Sequence, residues 1–181
     1  MQKAIMLFML FTITASFSDA VSYMPVDDGS SIKFKIKNLG LTVDGSFKGL
    51  NGNIEFDAAM PDRSKFDITL DANSINTGIG ARDSHLRKEA YFDVAKYTSL
   101  KFSATNVTVS NNANTYIMYG NLTIKNISKA ISFPFTATPQ NNGWLFKGEF
   151  KINRRDYSVG GSSITLSDNL TVYLNVFAKK K

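Results

Sequence analysis

Ser31-Ile32-Lys33-Phe34-Lys35-Ile36-Lys37 alternates without a break, placing Ile32, Phe34 and Ile36 on one face of an extended chain and Lys33, Lys35 and Lys37 on the other. A strand of this kind has one face on a core and one in water. Nine further runs of strand type follow: Gly45 to Leu50, Asn53 to Ala58, Phe66 to Asp71, Leu100 to Val107, Thr115 to Tyr119, Asn121 to Lys125, Ile131 to Ala137, Trp144 to Ile152 and Asn169 to Phe177. Turn signals separate them or stand at their ends, namely Asp27-Asp28-Gly29, Leu50-Asn51-Gly52, Met60-Pro61-Asp62, Ser110-Asn111-Asn112 and Gln140-Asn141-Asn142-Gly143. Short strands recurring about every ten residues, with polar turns, describe an all-β antiparallel sandwich or barrel. No internal repeat, low-complexity tract or linker divides it.

One stretch departs from the pattern. Gly80 to Asp93 lacks alternation, contains good helix formers and sets Leu86, Ala90 and Tyr91 at helical spacing, which predicts a short helix or helical loop. Asp83 stands near its N-terminal end, where a carboxylate can cap orphan amides or complement the helix dipole.

Before the first strand, Met1, Gln2 and Lys3 precede an apolar run of 14 residues, Ala4 to Phe17, and Ser18-Asp19-Ala20. The run has the length of a signal-peptide core and is short for a membrane span, so residues 1–20 are expected to be a leader cleaved after Ala20. The mature chain, 21–181, is then a single exported domain, periplasmic or secreted. The leader carries one Lys and one Asp, so the formal charge of +6 survives its removal.

Composition narrows the chemistry. The 181 residues contain no cysteine and one histidine, His85. Disulfides, thiolate nucleophiles, cysteine-held metals and multi-histidine metal sites are therefore excluded, and no cofactor is expected. Charged residues at 20% beside 43% hydrophobic ones indicate a folded domain with a basic surface.

Thr77-Gly78, Arg82-Asp83-Ser84-His85-Leu86-Arg87, Tyr91-Phe92-Asp93 and Phe102-Ser103 resemble, in order, the signature region of the YceI-like family of secreted polyisoprenoid-binding proteins. Tyr119-Gly120-Asn121-Leu122-Thr123-Ile124-Lys125, Ser128-Lys129 and Ile152-Asn153-Arg154-Arg155-Asp156-Tyr157 extend the likeness, which runs from about Ser22 to about Lys179. The family commonly has glycine where Asn126 stands, proline where Thr98 stands and a Phe-Gly pair where Tyr157-Ser158 stand. Asn tolerates positive φ, so Asn126 can still make the turn. A change at Tyr157-Ser158 alters ligand choice if that stretch borders a pocket.

The resemblance implies an eight-stranded antiparallel, lipocalin-like barrel with a short helical segment and an elongated apolar cavity. It also implies a carrier or sequestering protein for a long-chain isoprenoid, isoprenoid quinone or fatty amide, and a homodimer in some members. Eight strands leave an interior that side chains fill or that holds one small ligand. Inward candidates are Phe34, Ile36, Phe47, Ile54, Phe56, Ile68, Leu70, Phe102, Phe133, Phe135, Phe146 and Phe150, with Phe92 from the signature region. Strand register decides which of them face inward. Candidates to meet a polar head group are Arg82, Asp83, His85, Arg87, Asn153, Arg154 and Asp156; of these, Arg82, His85, Asn153 and Arg154 are assigned to ligand binding. The alternative for Arg82, Asp83, Asn153, Arg154 and Asp156 is that they tie the helical segment to the barrel.

Other functions fit less well. Asp83, Ser84 and His85 lie too close along the chain to define a hydrolase constellation, and no nucleophile-elbow motif is present, so a binding protein and not an enzyme is expected. Nucleic acid is not expected as a partner, because Lys and Arg are dispersed without the signature of an RNA-binding sheet. The Lys33, Lys35, Lys37 ladder and Lys179-Lys180-Lys181 instead suggest transient contact with an anionic membrane. Asn106, Asn121, Asn126 and Asn169 head Asn-x-Ser/Thr triplets, as chance provides in threonine-rich strands. A barrel with a filled interior that binds a protein or small metabolite is the competing reading.

Overall fold

The alternation at Ser31–Lys37 forms one half of a longer strand, β1 (Ser22–Asn38). In the computed structural model, which describes residues 21–181, it is followed by β2 (Leu41–Glu55), β3 (Lys65–Asn76), a helix α1 (Gly80–Leu86), β4 (Ser99–Val109), β5 (Thr115–Ile124), β6 (Ile127–Gln140), β7 (Gly143–Asn153) and β8 (Leu166–Lys180). The expected leader and its cleavage site, residues 1–20, lie outside the described residues. Each strand pairs antiparallel with the next, and β8 returns to pair with β1, so the sheet is a closed eight-stranded barrel. Closure leaves no unpaired edge.

Ten expected runs become eight strands for two physical reasons. Leu50-Asn51-Gly52 is not a turn but part of β2, beside a bulge at Gly49-Leu50, where the β2–β3 register shifts between Lys48 and Asn51. The bulge changes the parity of inward positions, from Val43 and Phe47 before it to Leu50 and Ile54 after it. Asp27, expected in a turn, lies in the irregular part of β1, and its carboxylate accepts hydrogen bonds from the Gly49 and Leu50 amides at 2.9 and 3.0 Å, fastening the two irregularities together. Gly120, which separates two expected strands, is simply the middle of β5. It lies beneath the Phe102 ring, where a Cβ would stand 2.5 Å from Cζ.

The hairpin between β5 and β6 turns on Lys125 (φ 51°) and Asn126 (φ 61°), both left-handed, as a two-residue turn of mirror-image type requires. Asn126 thus takes the conformation for which glycine is the usual choice.

The helix is shorter than the expected 80–93, ending at Leu86, and Tyr91 and Phe92 follow in turns. Asp83 does not cap it. Its carboxylate is buried and accepts from the backbone amide and the hydroxyl of Thr77, fixing the end of β3 to α1.

Two apolar clusters fill opposite ends of the barrel. The lower one, beneath the loops joining β2–β3, β4–β5 and β6–β7, is an aromatic plug: Phe56 meets Tyr116, Trp144 and Phe146 with ring centroids 5.0 to 5.3 Å apart, edge to face. The upper cluster, under α1 and the loop after β7, contains Phe47, Ile75, Leu100, Ile124, Tyr157 and Val159.

Candidate functional site

Between these clusters the barrel encloses a cavity of about 350 Å³. Its wall is apolar almost throughout because inward positions recur every second residue: Ile32, Phe34 and Ile36 on β1; Ile68 and Leu70 on β3; Leu170, Val172, Leu174 and Val176 on β8. Its floor is the plug, reached at Ile54, Phe66, Phe135 and Phe146. Polar side chains gather at the upper end, where Asn38, Thr77, Arg82 and His85 join the lining. His85 is exposed, so the cavity reaches solvent there.

Most of the candidate residues meet in this one space. Phe34, Ile36, Phe47, Ile54, Ile68, Leu70, Arg82, His85, Phe92, Phe102, Phe133, Phe135, Phe146, Phe150 and Arg154 all line it. Phe56 does not: it belongs to the plug below. Asn153 does not either, since its Oδ1 accepts from the Arg155 amide at 2.9 Å and caps the 3-10 turn Arg154–Tyr157. Asp156 is exposed within that turn, and Arg87 does not line the cavity but donates to the carbonyls of Asn73 and Ile75.

The two arginines that border the cavity differ in what they have left to offer. Arg154 is 4% exposed, and four of its five N–H donors are engaged, with the carbonyls of Ser167, Val159 and Gly161 and the carboxylate of Asp168. Among the described residues Arg82 spends only Nε and one Nη2 bond, on the Thr77 hydroxyl and carbonyl, each at 2.7 Å. Its other donors are free for a ligand oxygen at the rim. His85 lies edge to face against Tyr91 with centroids 4.9 Å apart. Asp83, two residues before it, is held by Thr77, so the pair is not arranged as a base and its orienter.

The upper end is roofed by two segments that hold each other. Gly160 N–H donates to Ala90 O at 2.8 Å, and Lys125 Nζ donates to Glu89 O and Ser158 O at 2.9 and 3.0 Å. Tyr91, Tyr157 and Val159 come into the lining through these segments. They carry no period-two signal, which hid them in the sequence; the inward face of β8 had such a signal and was open to reading. Burial, and secondarily the charge of Asp156, push the Tyr157 phenol up to about 12.

Comparison with known proteins agrees with this geometry. The sequence profile of a YceI-like domain matches residues 23–178. A UPF0312 protein of Yersinia enterocolitica is 33% identical, over 90% of this chain and 88% of its own. The crystal structure of a Campylobacter jejuni YceI protein is 30% identical with a TM-score of 0.69, over 77% of this chain and 85% of that one. Burkholderia cenocepacia BcnA, at 22% identity, shares the fold with a TM-score of 0.80 over 85% of this chain and 99% of its own. A polyisoprenoid binding domain from Saccharophagus degradans, at 17% identity, does so with a TM-score of 0.69 over 89% and 99%.

Proposed function

The chain belongs to the YceI-like family, and from that footing we propose that its barrel takes up the apolar chain of a long amphiphile, a polyisoprenoid, an isoprenoid quinone or a fatty amide, and carries or sequesters it in the periplasm or outside the cell. The observation that carries this reading is the cavity itself: about 350 Å³ of largely apolar-walled space, floored by a solid aromatic plug, with Asn38, Thr77, Arg82 and His85 gathered at its upper end. The Saccharophagus degradans domain, described as polyisoprenoid binding, adds a neighbour of the same fold.

Magnitudes support it. On β8 the lining runs from Leu166 to Val176, which at about 3.3 Å per residue and a tilt of about 40° spans roughly 25 Å along the barrel. Each methylene buried contributes about 0.8 kcal/mol, so about fifteen carbons supply on the order of 12 kcal/mol before the loss of ligand freedom. Such burial is non-directional, so head-group choice falls to the few polar atoms on the wall.

Docking of the upper end on an anionic membrane belongs to the same reading. The outward Lys33, Lys35 and Lys37 climb β1 to a hairpin whose Leu39 and Leu41 are each 73% exposed, beside the polar end of the cavity. Lys179 to Lys181 lie at the plugged end, so the ladder and not the tail is suited to presenting the cavity to lipid. Stripping the purified protein of lipid and titrating it with a fluorescent fatty-acid probe tests the uptake. Saturable binding of one probe per barrel is expected; absence of saturation contradicts it.

A further inference from the structure

Tyr157 is 1% exposed and lines the cavity, yet its hydroxyl makes no hydrogen bond among the described residues. This contrasts with Arg154, three residues earlier in the same turn, whose donors are matched to four acceptors. A buried tyrosine hydroxyl ordinarily has a partner, and that of Tyr157 is not sealed off as the unpartnered Ser64 Oγ and Asn175 Oδ1 are, so a partner can reach it. Tyr157 packs in the upper apolar cluster with Phe47, Ile75, Leu100 and Val159, within reach of the charge of Asp156. The open space it borders is where a partner can enter.

We propose that the Tyr157 hydroxyl is the donor that recognises a neutral acceptor oxygen, a carbonyl of an amide, ester or quinone, on the amphiphile held in the barrel. The inference rests on the carrier reading above and specifies its ligand. It sets the ligand's direction: the carbonyl sits under the roof beside Tyr157 and the tail points down to the Phe66, Phe135 and Phe146 floor. With its phenol held at about 12, the residue stays a neutral donor over the working pH range. A neutral donor suits an uncharged oxygen, whereas an anionic phosphate would lose its hydration there and meet the negative charge of Asp156. An anionic head group is better served at the rim, by Arg82.

The test compares wild type with Tyr157→Phe after removal of bound lipid, using two probes of one chain length, octadecanamide and octadecene, each displacing a fluorescent fatty-acid probe. Loss of one neutral hydrogen bond predicts that Tyr157→Phe binds octadecanamide about three- to tenfold more weakly and leaves octadecene unchanged. The lipid-free variant should melt at the same temperature or higher, because no bond within the protein is lost. Unchanged amide affinity, equal weakening of both probes or a lower melting temperature overturns the assignment while leaving the carrier reading in place. Failure of wild type to bind either probe overturns both.

Discussion

The Arg154 guanidinium donates to Asp168 Oδ1 at 2.6 Å from a position that is 4% exposed, so the arginine of the family signature next to the cavity is turned into the wall. It gathers the carbonyls of Val159, Gly161 and Ser167 around itself and thereby ties the loop after β7 to the start of β8. Its part in the site is to hold Tyr157 and Val159 in place, since four of its five N–H donors are committed to the wall.

Arg154→Ala should therefore cost folding stability. Three carbonyls lose their partner and Asp168 loses its ion pair, a loss of about 3 kcal/mol, or roughly 6–12 °C in melting temperature for a chain of this size. Arg154→Lys keeps the charge but not the fork and should recover less than half. Thermal melts check both; a stable Arg154→Ala variant with reduced ligand affinity would instead make it a head-group residue.

Asp83→Ala should loosen the roof and spare the barrel. The carboxylate accepts two bonds from Thr77 and joins the end of β3 to α1, away from the strand ladder. Hydrogen exchange is expected to speed up at residues 77–87, as local opening becomes easier by about 1–3 kcal/mol, with protection in β5 and β6 unchanged. Uniform loss of protection across the barrel would show that the contact supports the whole fold.

Gly45→Ala should both destabilise the protein and shrink its capacity. Phe34 lies across Gly45, and a Cβ there would stand 2.1 Å from the Phe34 Cζ, so the ring must swing into the cavity that it lines. Overpacking of this sort costs about 1–3 kcal/mol. Probe titration and melting should fall together; an unaffected variant would mean that the ring has room to move elsewhere.

Alkaline titration isolates Tyr157. Its phenol is raised from 10.0 to about 12 in the folded protein, so between those values the unfolded chain releases a proton that the folded chain keeps. Stability contributed by this residue is intact below pH 10 and declines as pH rises towards 12, by at most about 3 kcal/mol at 1.36 kcal/mol per unit. In Tyr157→Phe that decline should be absent. Parallel stability curves for the two proteins through this range contradict the assignment.

How much of this was legible beforehand can be seen residue by residue. Ile32, Phe34 and Ile36 announced an inward face by alternation alone, and the structure puts all three on the cavity wall. Leu50-Asn51-Gly52 looked like a turn because a bulge and a turn use the same small polar residues; in the barrel the bulge falls at Gly49-Leu50, and Asn51 and Gly52 pair in register with Thr69 and Ile68 of β3. Arg154 looked available because its four acceptors, Ser167, Asp168, Val159 and Gly161, sit five to fourteen residues ahead in a loop whose path only the folded barrel sets. Tyr157 and Tyr91 lie on connecting segments, where no periodicity tells inside from outside. Phe56 counted as an inward aromatic, and it is buried, but it stops the cavity instead of lining it.

The most direct test of a lipid-carrying barrel is organic extraction of the natively purified protein followed by lipid mass spectrometry, run beside Leu174→Trp, which places an indole in the cavity wall. Wild type should yield a long-chain amphiphile close to one per barrel, and Leu174→Trp, still folded, should yield little or none. Wild type free of any such molecule, or an equal yield from the filled variant, would contradict a carrier role for the cavity.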